Sequence, residues 1–289
     1  MKRFTMRLCQ AIFVLSLIAG SIAAMGVLVN HKISAKSKSS GESKVIEDPQ
    51  KVAAAQAALT SSVTSSVNNY SADSLDVGVS MIDLDTGTQT NIGETAAFTA
   101  ASTTKVLAAI VYLHQVEQGT HSLNETINGQ TAQSALQKMI NASDNNAWHD
   151  IIEAVGEDNL QAYAQKIGLT SYQHDTNVIT AADEAKLLQQ LYNHKLIDSA
   201  HTNLLLSFMQ HTSNEDLIPS GLPTGVTVYH KYGYLGGELH DAAIIVYNGH
   251  RIALTIYTKS SDDSLSDYNS RMSLFHQITS AAITYMQSI

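Results

Sequence analysis

At 289 residues, with a formal net charge of −9 and only three prolines, the chain is long enough for one large domain or two small ones. From Lys51 onward it carries 10 basic against 23 acidic residues. A domain that acidic lacks the basic surface that phosphate backbones require, which excludes nucleic acid as a partner.

The first 31 residues read as a separate unit. After Lys2, Arg3 and Arg7 comes an uncharged, mostly apolar run of 22 residues, Cys9 to Asn30. A bilayer-spanning helix needs about 20 such residues, and a cleavable signal core only about 7–15. Residues 9–30 are therefore expected to anchor the chain in a plasma membrane, uncleaved, with a cytoplasmic N-terminus and the rest outside the cytoplasm. The small residues Ser21–Ala24 offer the alternative of cleavage and secretion. Residues 32–49 read as a polar linker, and 50–289 as the folded domain. Cys9 is the sole cysteine, so disulfides and cysteine zinc sites are excluded beyond the anchor.

Within the domain, residues 50–70 have helical composition. "LDVGVSMIDLDTGTQTNIG" then alternates, with Val77, Val79 and Met81 on one face and a turn at Asp85-Thr86-Gly87, which predicts a hairpin. A helix is expected from Ser102 to about Gln118, stopped by Gly119. Further helices are expected near 131–141, 145–155, 158–167, 181–194 and 199–210. Thr180 and Asp183 resemble a capping box ahead of the helix at 181. Period two returns in "GVTVYHKYGY" and in "HDAAIIVYNGHRIALTIYTK", where Asn248-Gly249 is a strong hairpin signal. A last helix follows over about 267–287. This order predicts an α/β (α+β) fold: an antiparallel sheet flanked by the N- and C-terminal helices, with an all-helical lobe inserted. A site is expected in the cleft between sheet and lobe.

Three short stretches carry candidate chemistry. In "TAASTTKVLAAI" (99–110), Ser102 and Lys105 stand at i and i+3, so both side chains share one helix face. A serine hydroxyl needs a nearby base, and a lysine serves once burial or a second cation makes it neutral. The bland reading, a serine N-cap, fits the same residues. In "NASDNNAW" (141–148), Ser143-Asp144-Asn145 falls at a break between helices, where capping alone would also explain it. In "VYHKYGY" (228–234), Lys231 lies on a strand beside Gly233; a lone strand lysine is usually solvated edge decoration. The joint order is more telling than any piece.

That order, S-x-x-K, then S-D-N, then K-x-G before an antiparallel hairpin, resembles the class A β-lactamases and the wider penicillin-recognising serine enzymes. The resemblance extends over residues 50–289. It implies that Ser102 is acylated by a β-lactam or a D-alanyl peptide, and that Lys105 takes or relays its proton. It implies that Ser143 passes a proton to the leaving nitrogen and that Asn145 bonds the substrate's amide. Lys231 would attract a substrate carboxylate and keep Lys105 neutral. Gly233 belongs to the substrate-binding strand, and the N–H groups of Ser102 and Tyr234 would form the oxyanion hole.

Two departures stand out. Tyr232 replaces the small hydroxyl residue of K-T-G, leaving its role open. The glutamate that activates the deacylating water in class A enzymes, with its partner asparagine, has no match in "GLTSYQHDTNVITAADEAKLL". His174 and Asp175 are candidate substitutes, against the blander reading of polar turn residues. Glu184 reads as a solvated helix residue; His230 and His240 are candidates to line the cleft, against the blander reading of partly buried sheet residues. No metal-binding histidine spacing occurs, so neither metal nor cofactor is expected.

The expected function is thus a serine hydrolase of class A β-lactamase type, acylated at Ser102, with deacylation left open. The alternative is a D-alanyl-D-alanine peptidase or penicillin-binding cell-wall protein that deacylates slowly or not at all. Expected partners are a β-lactam or a peptidoglycan stem peptide, with the domain a monomer.

Overall fold

The computed structural model describes residues 49–71 and 75–289. The expected anchor (1–31) and the linker up to residue 48 lie outside the described residues. Among those described, no helix is long and apolar enough to cross a membrane.

The first alternating stretch forms strands β1 (Leu75–Asp83) and β2 (Gln89–Gly93). The three late strands are β7 (Thr227–Leu235), β8 (Glu238–Tyr247) and β9 (His250–Ser260). Together they make one sheet in the order β2-β1-β9-β8-β7, antiparallel throughout. Asn248 and Gly249 both take positive φ, 51° and 88°, the geometry that matches a two-residue hairpin turn to strand twist. Two-residue strand pairs β3–β6 (Phe98–Thr99, Val178–Ile179) and β4–β5 (Thr126–Ile127, Gln130–Thr131) brace the loops.

Each sheet face buries its own core. On one side, helices α1 (Pro49–Ser71) and α8 (Tyr268–Ser288) lie against the strands. There Leu59, Val63 and Val67 meet Phe275, Ile278, Val77, Val79 and Met81, as the alternation predicts. On the other side sits the helical lobe with α2 (Lys105–Glu117), buried at every position from Lys105 to Leu113. A helix apolar all round must lie inside the protein. Around it are α3 (Ala132–Asn141), α4 (Asn145–Val155), α5 (Glu157–Lys166), α6 (Ala181–Tyr192) and α7 (Ser199–Phe208). Gly119, at φ 76°, ends α2 as expected. Glu117 then accepts from the Asp198 N–H at 2.7 Å and pairs with His201 at 2.8 Å, tying the end of α2 to the start of α7.

Two local expectations need correction. Helix α2 begins at Lys105, not at Ser102. Residues 101–104 form a turn, and Thr104 stands at the N-cap position without a capping side-chain bond. The capping box is half made. Thr180 Oγ1 accepts from the Asp183 N–H at 3.1 Å. The Asp183 carboxylate instead takes both the N–H and the hydroxyl of Ser171.

Candidate active site

The turn before α2 presents Ser102. The Thr103 N–H donates to Ala100 O at 3.2 Å, and the Lys105 N–H to Ser102 O at 3.4 Å. In so tight a turn, side chains at i and i+3 lie nearly one above the other, so Ser102 and Lys105 keep the shared face that their spacing predicts. The turn enters through Ala101 at φ 51°, a left-handed conformation that costs an alanine about 1–2 kcal/mol. Its geometry is held from both ends. Asn177 gives an amide N–H to Ala101 O at 2.8 Å, accepts from Thr104 Oγ1 at 2.7 Å, and offers its carbonyl to Ala100 N. Thr103 Oγ1 lies 2.6 Å from the Tyr257 hydroxyl. Among the described residues, neither the N–H nor the hydroxyl of Ser102 has a protein partner, so both are available to a ligand.

The S-D-N stretch joins α3 to α4. Asp144 is the N-cap of α4, accepting from the Ala147 N–H at 2.9 Å, so the capping reading is right for Asp144. Ser143 is different: it takes φ 56° and faces the lysines. Lys105 Nζ donates to Ser143 O at 2.8 Å and to Asn145 Oδ1 at 2.8 Å, with Ser143 Oγ 3.3 Å away. Lys231 Nζ reaches the same Oγ at 3.0 Å. Two amines thus converge on one hydroxyl.

Their burial sets their chemistry. Desolvation brings Lys105 down to about 8, opposed by the nearby Asp144. Lys231 is fully buried rather than a solvated edge residue. Desolvation first, then the charge of Lys105, holds it well below the usual lysine range, against the pull of Asp241. Two ammonium groups that close disfavour each other's charge, and the pair titrates as a unit. One neutral amine beside Ser143 is what a general base at this turn requires.

Strand β7 brings the third stretch alongside. A Cβ on Gly233 would stand 2.7 Å from Ser102 N and 3.1 Å from Ala100 O, so only glycine permits this approach. On β7 the His230 N–H donates to Met209 O, away from β8. N–H groups alternate sides along a strand, so those of Tyr232 and Tyr234 also point to the open edge. The Tyr234 N–H is therefore directed to the edge where Gly233 meets Ser102, whose N–H also has no protein partner among the described residues. Tyr232 is buried and lies over the Lys231 ammonium, 4.0 Å from ring centroid to Nζ. Tyr234 stacks on it and is largely exposed.

The remaining candidates stay outside this cluster. Asp175 is exposed in its turn. The His174 ring contacts the Tyr172 hydroxyl and its N–H bonds to Gln161. His230 is fully buried on the opposite sheet face, between Asp241 (2.9 Å), Glu215 (3.1 Å) and Thr212 (2.9 Å). His240 is likewise fully buried; it bonds to Thr99 O and stacks on Tyr257. Glu184 is the clear correction. It is fully buried on α6, facing the Tyr257 hydroxyl, and no cation pairs with it among the described residues. Desolvation raises it to about 8. Its helix buries Ala181, Ala185, Leu187, Leu188 and Leu191, a stripe on which position 184 falls. Asn177 and Tyr257, which brace the Ser102 turn, were not singled out from sequence. The only signal was an asparagine in a short turn, the residue type that best tolerates positive φ. A groove between α1 and α8, lined by Ala55, Leu59, His276 and Tyr285, contains none of the motif residues.

The mixed α/β architecture, with a serine–lysine turn under a sheet edge, is the β-lactamase fold. The chain belongs to the β-lactamase enzyme family, whose model matches residues 58–286. No curated protein matches the sequence. Among solved structures, PBP-A is similar at 24% identity and TM-score 0.72, covering 80% of this chain and 96% of its own. A PBP-A mutant in an acyl-enzyme complex with penicillin G superposes equally well, at 24% identity and TM-score 0.72, with 80% and 97% covered. The class A β-lactamase of the last common ancestor of Gram-negative bacteria gives 21% identity and TM-score 0.72, with 79% and 99% covered.

Proposed function

We propose that this chain is a serine acyl-transfer enzyme that forms an ester at Ser102 with β-lactams or D-alanyl peptides and releases the acyl group slowly. The observation that carries this reading is the convergence of Lys105 and Lys231 on Ser143 Oγ, beside a Ser102 whose N–H and hydroxyl are free.

The proposed steps are these. Ser102 Oγ adds to the donor's carbonyl carbon as its proton passes to the neutral amine of the lysine pair. The oxyanion sits between the N–H groups of Ser102 and Tyr234, where fixed donors stabilise developing charge. The carbonyl C–N bond then breaks, and the leaving nitrogen takes a proton through Ser143 Oγ. The Asn145 amide N–H groups remain available for the acyl side, since only its Oδ1 is used by Lys105.

Slow release is supported by the loop over residues 169–180. It supplies Asn177 to the Ser102 turn but no carboxylate. Asp175 points to solvent and His174 is engaged elsewhere. Removing a general base typically costs about 10²–10⁴ in rate, so the ester should accumulate. This favours a wall peptidase or penicillin-binding protein over an efficient β-lactamase. Anchoring by residues 9–30 outside the cytoplasm would place it beside peptidoglycan.

The test is intact-mass spectrometry of the full-length chain with benzylpenicillin over time, beside Ser102→Ala. A mass increase that persists for hours and is absent from the variant is expected. Decay within seconds would mean efficient hydrolysis. No increase, with penicillin left intact, would sink the reading.

A further inference from the structure

Resting on that acyl-transfer reading, we infer that Tyr232 closes the leaving-group side of the cleft to carboxylates, so that the preferred acyl donor is an amide or ester whose leaving portion is uncharged.

The argument starts from where the leaving group must lie. The departing nitrogen is protonated through Ser143 Oγ, so whatever it carries rests against Ser143 and its neighbours, Lys231 and Tyr232. A carboxylate there would need a cation with a free N–H. Lys231 has none to give. Its Nζ donates to Tyr232 O at 2.8 Å and meets Ser143 Oγ at 3.0 Å, and the Tyr232 ring covers its remaining side at 4.0 Å. The amine is fully buried. Lys105 is committed in the same way, to Ser143 and Asn145.

The ring does more than cover. An aromatic face carries partial negative charge, which repels an anion placed above it. The neighbourhood offers no compensation. Desolvation holds Lys231 toward its neutral form. Next along β7, Tyr234 stacks on Tyr232 with planes 10° apart, and Tyr234 and Leu235 are each 58% exposed. The rim beyond the nucleophile is therefore apolar. The phenol of Tyr232 lies near the hydroxyls of Ser143 and Ser213, a setting that suits a neutral hydrogen-bonding group such as a carboxamide. Acyl transfer to such a donor balances as before: the Ser102 Oγ–C bond forms, the carbonyl C–N or C–O bond breaks, and the departing atom takes the proton from Ser143.

The experiment compares matched donors on the full-length chain. Second-order rate constants for mass gain at Ser102 are measured with benzylpenicillin and with its methyl ester. Release of D-alanine from N-acetyl-D-alanyl-D-alanine is compared with release of D-alaninamide from the corresponding amide. In the wild type the neutral member of each pair should react about tenfold faster or more, the penalty for leaving a charged group unpaired. Tyr232→Thr should erase or invert that preference by uncovering Lys231, while Tyr232→Phe should keep it. Equal or faster reaction of the free acids in the wild type would overturn the inference while leaving Ser102 acylation intact. A neutral preference that survives Tyr232→Thr would overturn the assignment to Tyr232. If no donor modifies Ser102, and a fluorophosphonate does not either, the acyl-transfer reading itself falls.

Discussion

The two faces of the β7–β8 strand pair bury charge in opposite ways. On the α2 side, Lys105 and Lys231 share Ser143, and among the described residues no carboxylate hydrogen-bonds to either. On the α8 side, His230 is held between Asp241 and Glu215. Those two carboxylates outweigh the cost of burial and raise His230 to about 9. The paired face gains a fixed charge and rigidity. The unpaired face gains amines that desolvation shifts toward their neutral forms, Lys105 to about 8, and groups so perturbed cluster at functional sites. Stability and reactivity are thus divided across one layer of backbone.

The sharpest way to break this comparison is Lys105→Met. Acylation of Ser102 should fall by about 10²–10⁴, while stability to urea should change by a far smaller factor, because the desolvation cost of the amine goes together with its hydrogen bonds to Ser143 and Asn145. In the wild type the acylation rate should climb as pH rises through about 8, where Lys105 becomes neutral. A flat profile, or a variant that merely unfolds, would contradict the division.

Asp241→Asn tests the other face. Breaking a buried pair leaves an uncompensated charge and costs about 3–5 kcal/mol, measurable as a lower urea midpoint. The sign with pH follows from a histidine raised from 6.5 to about 9 in the fold. Its contribution is complete below pH 6.5 and lost as pH rises through 9. The gap between wild type and variant should therefore narrow from pH 6.5 to 9. A constant gap would mean that His230 is not the charged partner.

A third case sharpens the rule. Glu184 is buried beside the Tyr257 hydroxyl with no cation paired to it among the described residues, so its neutral form should be the stable one. The unfolded chain ionises near 4.5 and the folded chain near 8, so stability falls as pH rises between these values and the full penalty holds above 8. Glu184→Gln should stabilise the protein by about 3 kcal/mol at pH 7 and leave it unchanged at pH 4. Urea unfolding at the two pH values decides the matter, and destabilisation at pH 7 would refute the assignment.

Spacing and order made the fold readable. The hairpin at Asn248-Gly249, the helix stop at Gly119 and the alternation at Val77, Val79 and Met81 are local signals that folding preserves. So is the S-x-x-K spacing, which survives although the helix starts three residues late. What was not readable depended on other parts of the chain. Lys231 on an edge strand reads as solvated, and only the lobe and Tyr232 bury it. Glu184 has the composition of a surface residue, although the stripe through Ala181, Leu188 and Leu191 marks its position as internal. The bracing by Asn177 and Tyr257 joins segments far apart in the chain, a relation that no local pattern carries.

Ala101 and Ser143 are two of the non-glycine residues in left-handed conformation, and they flank the cleft from opposite sides. They set a limit on how far the protein can be hardened against heat. At Ala101, glycine would relieve the strain and keep the backbone path. At Ser143 the same remedy would delete the hydroxyl that both lysines address. Thermostabilising substitutions can therefore be collected freely on the α1–α8 side, whereas the strain at Ser143 is inseparable from the hydroxyl placed there.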